Sequence, residues 1–484
     1  MQARAYWPAF GVCALLASLP LFVTGPLPMA DLPEHIAQVS IWKHFGDACH
    51  RFAATFEIHW STPYLLGYAI ARALAGFMSS AAAVKATVWA AVLLLPLSMR
   101  ALLRRGGGDP GWSLLGFLLA YGYSFYWGFF NFSLALPLGI FFLALLFDER
   151  PRPVAIGALA IVLLGAHALV LLFCIGATVA VAVARRSWRT ALPVLPAAVL
   201  LAAWTLYMRQ VEGSVHMPTV WSITVERLTY LPSALVANAW ESAAIPIVLA
   251  VALAVAVTRP RVTRDPARWL LAALALVVYF VAPFFAFGTV CLYPRFAVMI
   301  VVTALFLFAP ARALALSGSI VFLLVAVWML VLTNRFQRFG DDAARFEEIV
   351  DALPAGRRVI LLRNDVGSDA VPGPVFSHFA ALYQARKGGL VADSFANYYA
   401  PIVGYRRGAA LTAHDRYSQA GLVHWPSLLE YDYVIARAAE RRGLPFSRLP
   451  ESVRPALRNG AWWVFETPRA RRPQRSCGAL AGEE

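Results

Sequence analysis

The chain has 484 residues, of which 60% are hydrophobic and only 14% charged, and its mean hydropathy is +0.63. Soluble domains are about 45–50% apolar and about 25% charged, so the composition excludes an ordinary soluble enzyme and favours a protein with many membrane spans. The 13% aromatic content and the long apolar runs exclude a disordered chain.

The net charge is +15, from 42 Lys and Arg against 27 Asp and Glu. The basic residues lie mostly in short loops between apolar runs, which is typical of the cytoplasmic loops of inner membrane proteins. This distribution favours a membrane topology signal over nucleic-acid binding, and no nucleic-acid partner is expected. The five cysteines are scattered and lack the spacing of a metal site.

Apolar runs of the length that crosses a bilayer, about 20 residues, follow one another along the chain. They begin near residues 8, 82, 112, 131, 154, 168, 190, 243, 268, 296 and 318. The first is interpreted as a membrane helix, with a cleaved signal peptide as the alternative. The stretch 153–184 is too long for one helix, and Gly165-Ala166-His167 near its middle predicts two.

Residues 62–80 carry Arg72, two Gly and a Pro, which predicts an interfacial or re-entrant helix, with a membrane span as the alternative. The resulting fold class is an α-helical polytopic membrane protein with about eleven transmembrane segments. Its N-terminus is expected in the cytoplasm and its C-terminus outside.

Residues 1–334 are thus predicted to form a transmembrane domain with a long first outer loop, residues 25–81. Residues 335–484 are charged and turn-rich, with a helical stretch (DDAARFEEIVDAL) and three strand candidates (RRVILL, YDYVIA and AWWVFE). This pattern predicts an extracytoplasmic α/β domain of about 150 residues.

A group of polar residues follows the first apolar run directly. Asp31, Glu34, His35 and Gln38 lie at i, i+3, i+4 and i+7, which places them on one face of a helix. One interpretation is that Asp31 only caps an interfacial helix, with Pro33 in its first turn and the polar face in water. The other is a functional site, because a carboxylate beside a low-dielectric wall can have a raised pKa.

This segment resembles the first outer loop of the GT-C superfamily, the integral-membrane glycosyltransferases that use polyprenyl-phosphate-linked sugars. In its dolichol-linked glucosyltransferases an Asp-Glu pair is followed by His four and Gln seven residues after the Asp. Asp31, His35 and Gln38 match these offsets, whereas Leu32 replaces the adjacent Glu and Glu34 is a candidate for the second carboxylate. The long first outer loop, the many segments and the outer C-terminal domain add to the resemblance.

The resemblance implies that Asp31 is the general base, that Glu34 and His35 are also catalytic, and that Gln38 binds substrate. Some GT-C enzymes hold a divalent cation with paired acids. Because Leu32 departs from that pair, metal dependence stays open, and the sequence requires no cofactor.

Further candidates for substrate binding come from their positions along the chain. The departing phosphate needs positive charge, and Arg295 in LYPRF, two residues after Tyr293, is favoured over Lys43 in the first outer loop. Arg295 is equally interpreted as an interfacial Arg that extends toward water.

The apolar run around His167 and the aromatic segment 121–132 each have both a structural and a functional interpretation. His167, alone among apolar residues, faces a donor cavity or is a neutral core histidine. The aromatic segment 121–132 forms an interfacial belt or a stacking wall with Asn131 as a hydrogen-bond donor. His378, His414, Asp415 and His424 are too dispersed to indicate a metal site.

These observations predict a glycosyltransferase of a bacterial-type inner membrane. It would move a sugar from a polyprenyl phosphate to a glycan, lipid or protein acceptor on the outer face, in contact with membrane lipids. The alternatives are a transporter or flippase, for which no internal repeat is found, and a non-catalytic membrane scaffold with an outer binding domain.

Overall fold

The computed structural model describes residues 3–150, 152–211, 219–236, 260–286, 289–309, 315–397, 401–409, 425–438 and 448–472, with a few isolated positions between them. These residues are mostly helical, and most of the strands lie in the C-terminal part. The chain forms two compact units. Unit 1 is Met1–Pro20 with Val88–Thr333, and unit 2 is Leu21–Thr87 with Asn334–Glu484.

The helices differ widely in length, from one turn to more than ten turns. In chain order they are α1 (Ala3–Phe22), α2 (Leu32–Lys43), α3 (Phe52–Thr55), α4 (Leu65–Leu74), α5 (Ser80–Arg105), α6 (Leu115–Leu119), α7 (Tyr123–Trp127), α8 (Phe130–Leu146), α9 (Pro153–Ala166), α10 (Ala168–Ala184), α11 (Leu195–Val211), α12 (Glu226–Val236), α13 (Pro266–Val281), α14 (Ala297–Phe306), α15 (Ala315–Ala352), α16 (Ala380–Lys387) and α17 (Trp425–Leu428). Short 3₁₀ helices cover Pro110–Leu114, Trp188–Val194, Tyr293–Phe296 and Phe395–Asn397.

The strands are short. They are β1 (Phe56–Ile58), β2 (Arg261–Val262), β3 (Phe308–Ala309), β4 (Arg358–Leu362), β5 (Leu390–Val391), β6 (Val403–Tyr405), β7 (Tyr433–Arg437), β8 (Arg454–Asn459) and β9 (Trp462–Glu466).

Several helices have the length and composition of membrane spans. Four in the described part of the chain are long and apolar enough, at Ala5–Phe22, Ser80–Arg105, Trp188–Met208 and Gly318–Ala352. Six other apolar helices have 10–17 residues. Helix length alone therefore accounts for four of the about eleven predicted spans. The predicted run near residue 243 lies mostly outside the described residues.

Two local predictions can be compared with the helices directly. The split of 153–184 is confirmed, because α9 ends at Ala166, α10 begins at Ala168, and His167 between them has extended backbone. Helix α4, inside the predicted interfacial segment, has 10 residues. It is about 15 Å long, half of the about 30 Å hydrocarbon core, which favours the interfacial or re-entrant placement.

The surface of unit 1 carries many large apolar side chains. Leu15 is 66% exposed, Val199 64% and Leu172 57%. So many exposed large apolar side chains are unfavourable in water and suit a surface that meets lipid. The surface therefore agrees with the membrane class that the composition predicts.

Unit 2 contains a five-stranded mixed sheet in the order β5-β4-β7-β9-β8, in which β5, β4 and β7 are parallel and β9 is antiparallel to both of its neighbours, β7 and β8. All three predicted strands and the predicted helix, which is the end of α15, are confirmed. Strand β7 is fully buried, as expected of a central strand covered on both faces. Strand β8 is mostly exposed and carries Pro455, which suits an edge strand.

The first outer loop of the prediction belongs to the same unit as this sheet. Strand β1 pairs antiparallel with β6, with Phe56 opposite Tyr405. Helix α2 packs against α16 and α4. Every α2 residue from Leu32 to Ile41 is buried as a result, so the segment that carries the predicted motif is a core helix of unit 2.

Candidate functional site

The predicted motif lies at the start of α2. Asp31 is the N-cap residue and Pro33 is in the first turn, but the Asp31 side chain makes no capping hydrogen bond. Glu34, His35 and Gln38 are 1%, 7% and 0% exposed. The interpretation of a capped helix with its polar face in water is therefore wrong.

Two of the buried polar residues hold α2 within unit 2. The Gln38 side chain accepts a hydrogen bond from the Val403 N–H (2.8 Å) and donates one to the Val403 carbonyl (3.4 Å). His35 Nδ1 lies 2.6 Å from the Tyr68 hydroxyl of α4. These paired contacts satisfy groups that would be costly to bury alone, so in this structure Gln38 and His35 position the helix.

The two carboxyl groups of the motif lie on either side of one imidazole. His378 Nε2 is 3.7 Å from an Asp31 oxygen, and His378 Nδ1 is 3.8 Å from Glu34 Oε1. The Arg363 Nη2 lies 3.4 Å from His378 Nδ1, and Arg363 Nε lies 3.6 Å from Asp393 Oδ2. We call Asp31, Glu34, Arg363, His378 and Asp393 the His378 cluster.

The two carboxyl groups differ in environment. The Glu34 side chain is 2% exposed, whereas that of Asp31 is 20% exposed. Burial raises the pKa of Glu34 to about 8, against the lowering effect of the hydrogen bond from the Phe395 N–H at 2.8 Å. Glu34 therefore carries a proton at neutral pH.

His378 is neutral in the same cluster. Burial, followed by the charge of Arg363 and of His35, lowers the pKa of His378 to about 3. An Arg nitrogen can only donate, so Nδ1 of the neutral ring accepts from Arg363 and the ring proton is assigned to Nε2. The Nε2–H then faces Asp31.

The remaining predicted site residues are distributed over both units. Lys43 is the last residue of α2, twelve positions after Asp31 and about 18 Å along the helix axis. Asn131, His167, Tyr293 and Arg295 belong to unit 1. The His167 side chain accepts a hydrogen bond from the Leu169 N–H and so caps α10, and it is 3% exposed.

Arg295 is 6% exposed and is engaged within its own loop. Its guanidinium donates to the carbonyls of Cys291 and Val290 and lies 3.5 Å from the centre of the Phe129 ring. Tyr293 packs instead under the Arg227 guanidinium, at 3.9 Å. Both predicted residues thus have structural contacts that the sequence interpretation did not include.

The aromatic segment 121–132 is mostly interior. Tyr121, Tyr123, Phe125 and Phe132 are each at most 6% exposed, so the segment is neither an exposed belt nor an open stacking wall. Asn131 is 7% exposed, and its Oδ1 has no hydrogen-bond partner among the described residues. The cavity beside this segment measures about 30 Å³, which has room for water.

A larger cavity of about 220 Å³ lies against the face of α2 opposite Glu34 and Gln38. Its wall includes Leu32 and Ile36 of that helix, together with Lys85 and Arg386. The Lys85 ammonium donates to the Thr24 carbonyl at 2.7 Å, and Arg386 pairs with Glu347. Sequence reasoning did not single out either cation.

Sequence reasoning also missed Arg363, Asp393 and the role of His378. More than 300 positions separate these residues from Asp31, and no local spacing indicates that β4, α16 and the turn after β5 converge on α2. His414, Asp415 and His424 lie outside the described residues. A backbone signal does exist at Asp393, which has a left-handed φ of 56°, because non-glycine residues with positive φ concentrate at functional sites.

Comparison with protein-family models, with curated proteins and with solved structures gives no significant match for this chain.

Proposed function

We propose that the chain is a membrane glycosyltransferase that transfers a sugar from a polyprenyl phosphate to an acceptor hydroxyl on the outer face of a bacterial-type inner membrane. The observation that carries this proposal is the His378 ring between the Asp31 and Glu34 carboxyl groups. The motif of Asp31, His35 and Gln38 supports the donor class through its resemblance to GT-C enzymes.

The two carboxyl groups take different roles in this proposal. A general base must be ionised and within reach of the proton that it removes. Asp31 is 20% exposed and so is accessible to a hydroxyl group, whereas Glu34 is 2% exposed and protonated at neutral pH. We therefore assign the base to Asp31 and a positioning role to Glu34.

His378 and Arg363 are proposed to position the base. Arg363 donates to His378 Nδ1, which leaves the Nε2–H directed at the Asp31 carboxylate. A fixed donor on that side leaves the other lone pairs of the carboxylate for the acceptor hydroxyl. Asp393 in turn pairs with Arg363 and holds its guanidinium.

The reaction needs one bond to form as another breaks. Asp31 accepts the proton of the acceptor hydroxyl while that oxygen attacks the anomeric carbon, and the bond from that carbon to the phosphate oxygen breaks with its electron pair. The product phosphate gains negative charge, which a nearby cation stabilises. Lys43 is too far along α2 from Asp31 to serve one sugar phosphate with it, so we assign Arg363, the cation of the cluster, as the first candidate.

The test uses the full chain in nanodiscs with a panel of polyprenyl-phosphate sugars, and it follows the release of free polyprenyl phosphate. Asp31→Asn should lower kcat by about 10²–10⁴-fold, which is the usual contribution of a general base. Glu34→Gln, which mimics the protonated side chain, should lose far less. Glu57→Gln on β1, where the carboxylate is 48% exposed, is the matched control and should leave turnover unchanged.

Donor binding and the unfolding temperature are measured for each variant, so that loss of folding is not read as loss of catalysis. Equal loss in Asp31→Asn and Glu34→Gln would contradict the assignment of the base. Absence of both donor binding and release across the panel would contradict the glycosyltransferase itself and favour the transporter or scaffold alternatives.

A further inference from the structure

A tight loop at the end of α2 brings three metal-ligating side chains together. The helix ends at Lys43, and His44 is its C-cap residue. The Asp47 N–H then donates to the His44 carbonyl and the Arg51 N–H to the Asp47 carbonyl, and Arg51 has a left-handed φ of 54°. This compact turn places residues 44, 47 and 50 on one side of the loop.

The ligating atoms of His44, Asp47 and His50 all lie within 4.8 Å of one another. Asp47 Oδ2 is 2.7 Å from His50 Nδ1 and 3.9 Å from His44 Nδ1. The two imidazole rings are stacked, with their centres 4.3 Å apart and their planes at 22°. Both rings thus present the same nitrogen to one carboxylate oxygen.

The surroundings hold these side chains in place. The other oxygen of Asp47 accepts the Cys49 N–H at 2.8 Å. The His50 ring packs against Phe52 at 5.1 Å, and its side chain is 7% exposed. The side chains of His44 and Asp47 are 17% and 37% exposed, so the group is held by the protein and still open to water.

We propose that His44, Asp47 and His50 bind a divalent transition-metal ion of the zinc type. Two imidazole nitrogens and one carboxylate oxygen are a ligand set that suits zinc, with water in the fourth position. Bonds of about 2.1 Å in a tetrahedral site separate two ligand atoms by about 3.4 Å. The two separations of 2.7 and 3.9 Å bracket this value, and the remaining pair of ligand atoms lies within 4.8 Å. Binding of one ion by both Nδ1 atoms therefore requires the two imidazole planes to tilt away from their stacked arrangement.

A structural effect follows from the place of the site in the chain. The loop joins α2, which carries Asp31 and Glu34, to α3 and β1. An ion that binds only the folded loop stabilises the folded protein. The site shares no residue with the His378 cluster, so this inference is independent of the proposed glycosyltransferase activity.

The test is equilibrium binding of Zn²⁺ to the full chain in nanodiscs, after removal of metal with a chelator and without a histidine tag. We expect one tightly bound zinc per chain, a rise in the unfolding temperature, and an X-ray absorption spectrum with two imidazole ligands. His44→Ala and Asp47→Asn should each weaken binding by at least about tenfold, because loss of even a partner that only orients a metal ligand typically costs about 10–100-fold in affinity.

His59→Ala is the matched control, because His59 lies in the same unit, 3.3 Å from the Glu57 carboxylate, and belongs to no group of three metal-ligating side chains among the described residues. It should retain zinc binding, and so should Cys49→Ser. The buried His50 can be needed for folding, which is why the more exposed His44 is the principal variant. Absence of stoichiometric binding, or equal binding by His44→Ala and His59→Ala, would overturn the proposal.

Discussion

Glu34 is the residue whose chemistry is changed most by its place in the fold. Its pKa is raised to about 8, mainly by burial, from the ordinary value of 4.5. The folded state therefore holds a proton that the unfolded state releases above about pH 4.5, so this burial lowers stability by about 1.4 kcal/mol for each pH unit up to about 8. This loss of stability is absent only below the pKa of Glu34 in the unfolded state, about 4.5.

The effect of His378 on the pH dependence of stability is opposite to that of Glu34. Burial lowers its pKa from 6.5 to about 3, so protonation of the unfolded state makes stability rise with pH between these values. Between about pH 4.5 and 6.5, the fall in stability with pH due to Glu34 and the rise due to His378 cancel. Above about pH 6.5, of these two effects only that of Glu34 is left. We expect the free energy of unfolding to fall by about 2 kcal/mol between about pH 6.5 and 8.

The measurement is the unfolding free energy, or the unfolding temperature, of wild type and Glu34→Gln as a function of pH. Glu34→Gln has no proton to lose and should show no fall in this range, so the difference between the two curves isolates Glu34. Parallel curves would mean that Glu34 is ionised in the folded protein. The assignment of the base to Asp31 alone would then no longer be supported, because it depends on a protonated Glu34.

At the scale of elements, α2 depends on a side chain that the motif assigns to substrate. Gln38 makes two hydrogen bonds to Val403 on β6 and is fully buried. Gln38→Leu should destabilise the protein by about 1–3 kcal/mol, because the Val403 N–H and carbonyl stay buried without partners. Arg407→Gln, at an exposed position after β6, is the control and should change stability by less than about 0.5 kcal/mol.

Chemical denaturation of both variants measures this effect, and donor binding separates the two roles of Gln38. A stable Gln38→Leu that loses donor affinity would show that the side chain contacts substrate. An unstable variant with normal affinity when folded would leave it as a packing residue of α2.

Elements with a strong local pattern could be predicted from the sequence. The strands β4, β7 and β9 are buried apolar runs, and the break at His167 lies between two helix-length runs. Strand β8 could not be predicted from the sequence, because its segment RPALRN is polar and contains a Pro. The two carboxyl groups of the candidate site, those of Asp31 and Glu34, were predicted from their spacing along the sequence. His378 and Arg363 reach them only through packing between segments that are distant in sequence.

At the scale of the whole molecule, the membrane topology is constrained by the two chain segments that make up unit 2. Residues 21–87 and 334–484 belong to one compact unit, so we expect the parts of both segments outside the membrane to lie on the same side of it. The chain between them must then cross an even number of times. The ten apolar runs predicted from the sequence between them, which begin at 82, 112, 131, 154, 168, 190, 243, 268, 296 and 318, satisfy this condition if each crosses once. A further span at 62–80 would make the number odd.

Fusions of alkaline phosphatase test this topology, because the enzyme forms its disulfides and becomes active only outside the cytoplasm. A fusion after Glu484 should be active, and a fusion after Arg105 should be inactive. If residues 62–80 crossed the membrane, the order of sides would be reversed and the Arg105 fusion would be active. That result would separate Asp31 from His378 by a membrane, so the same two fusions test both the topology and the existence of the His378 cluster in the native protein.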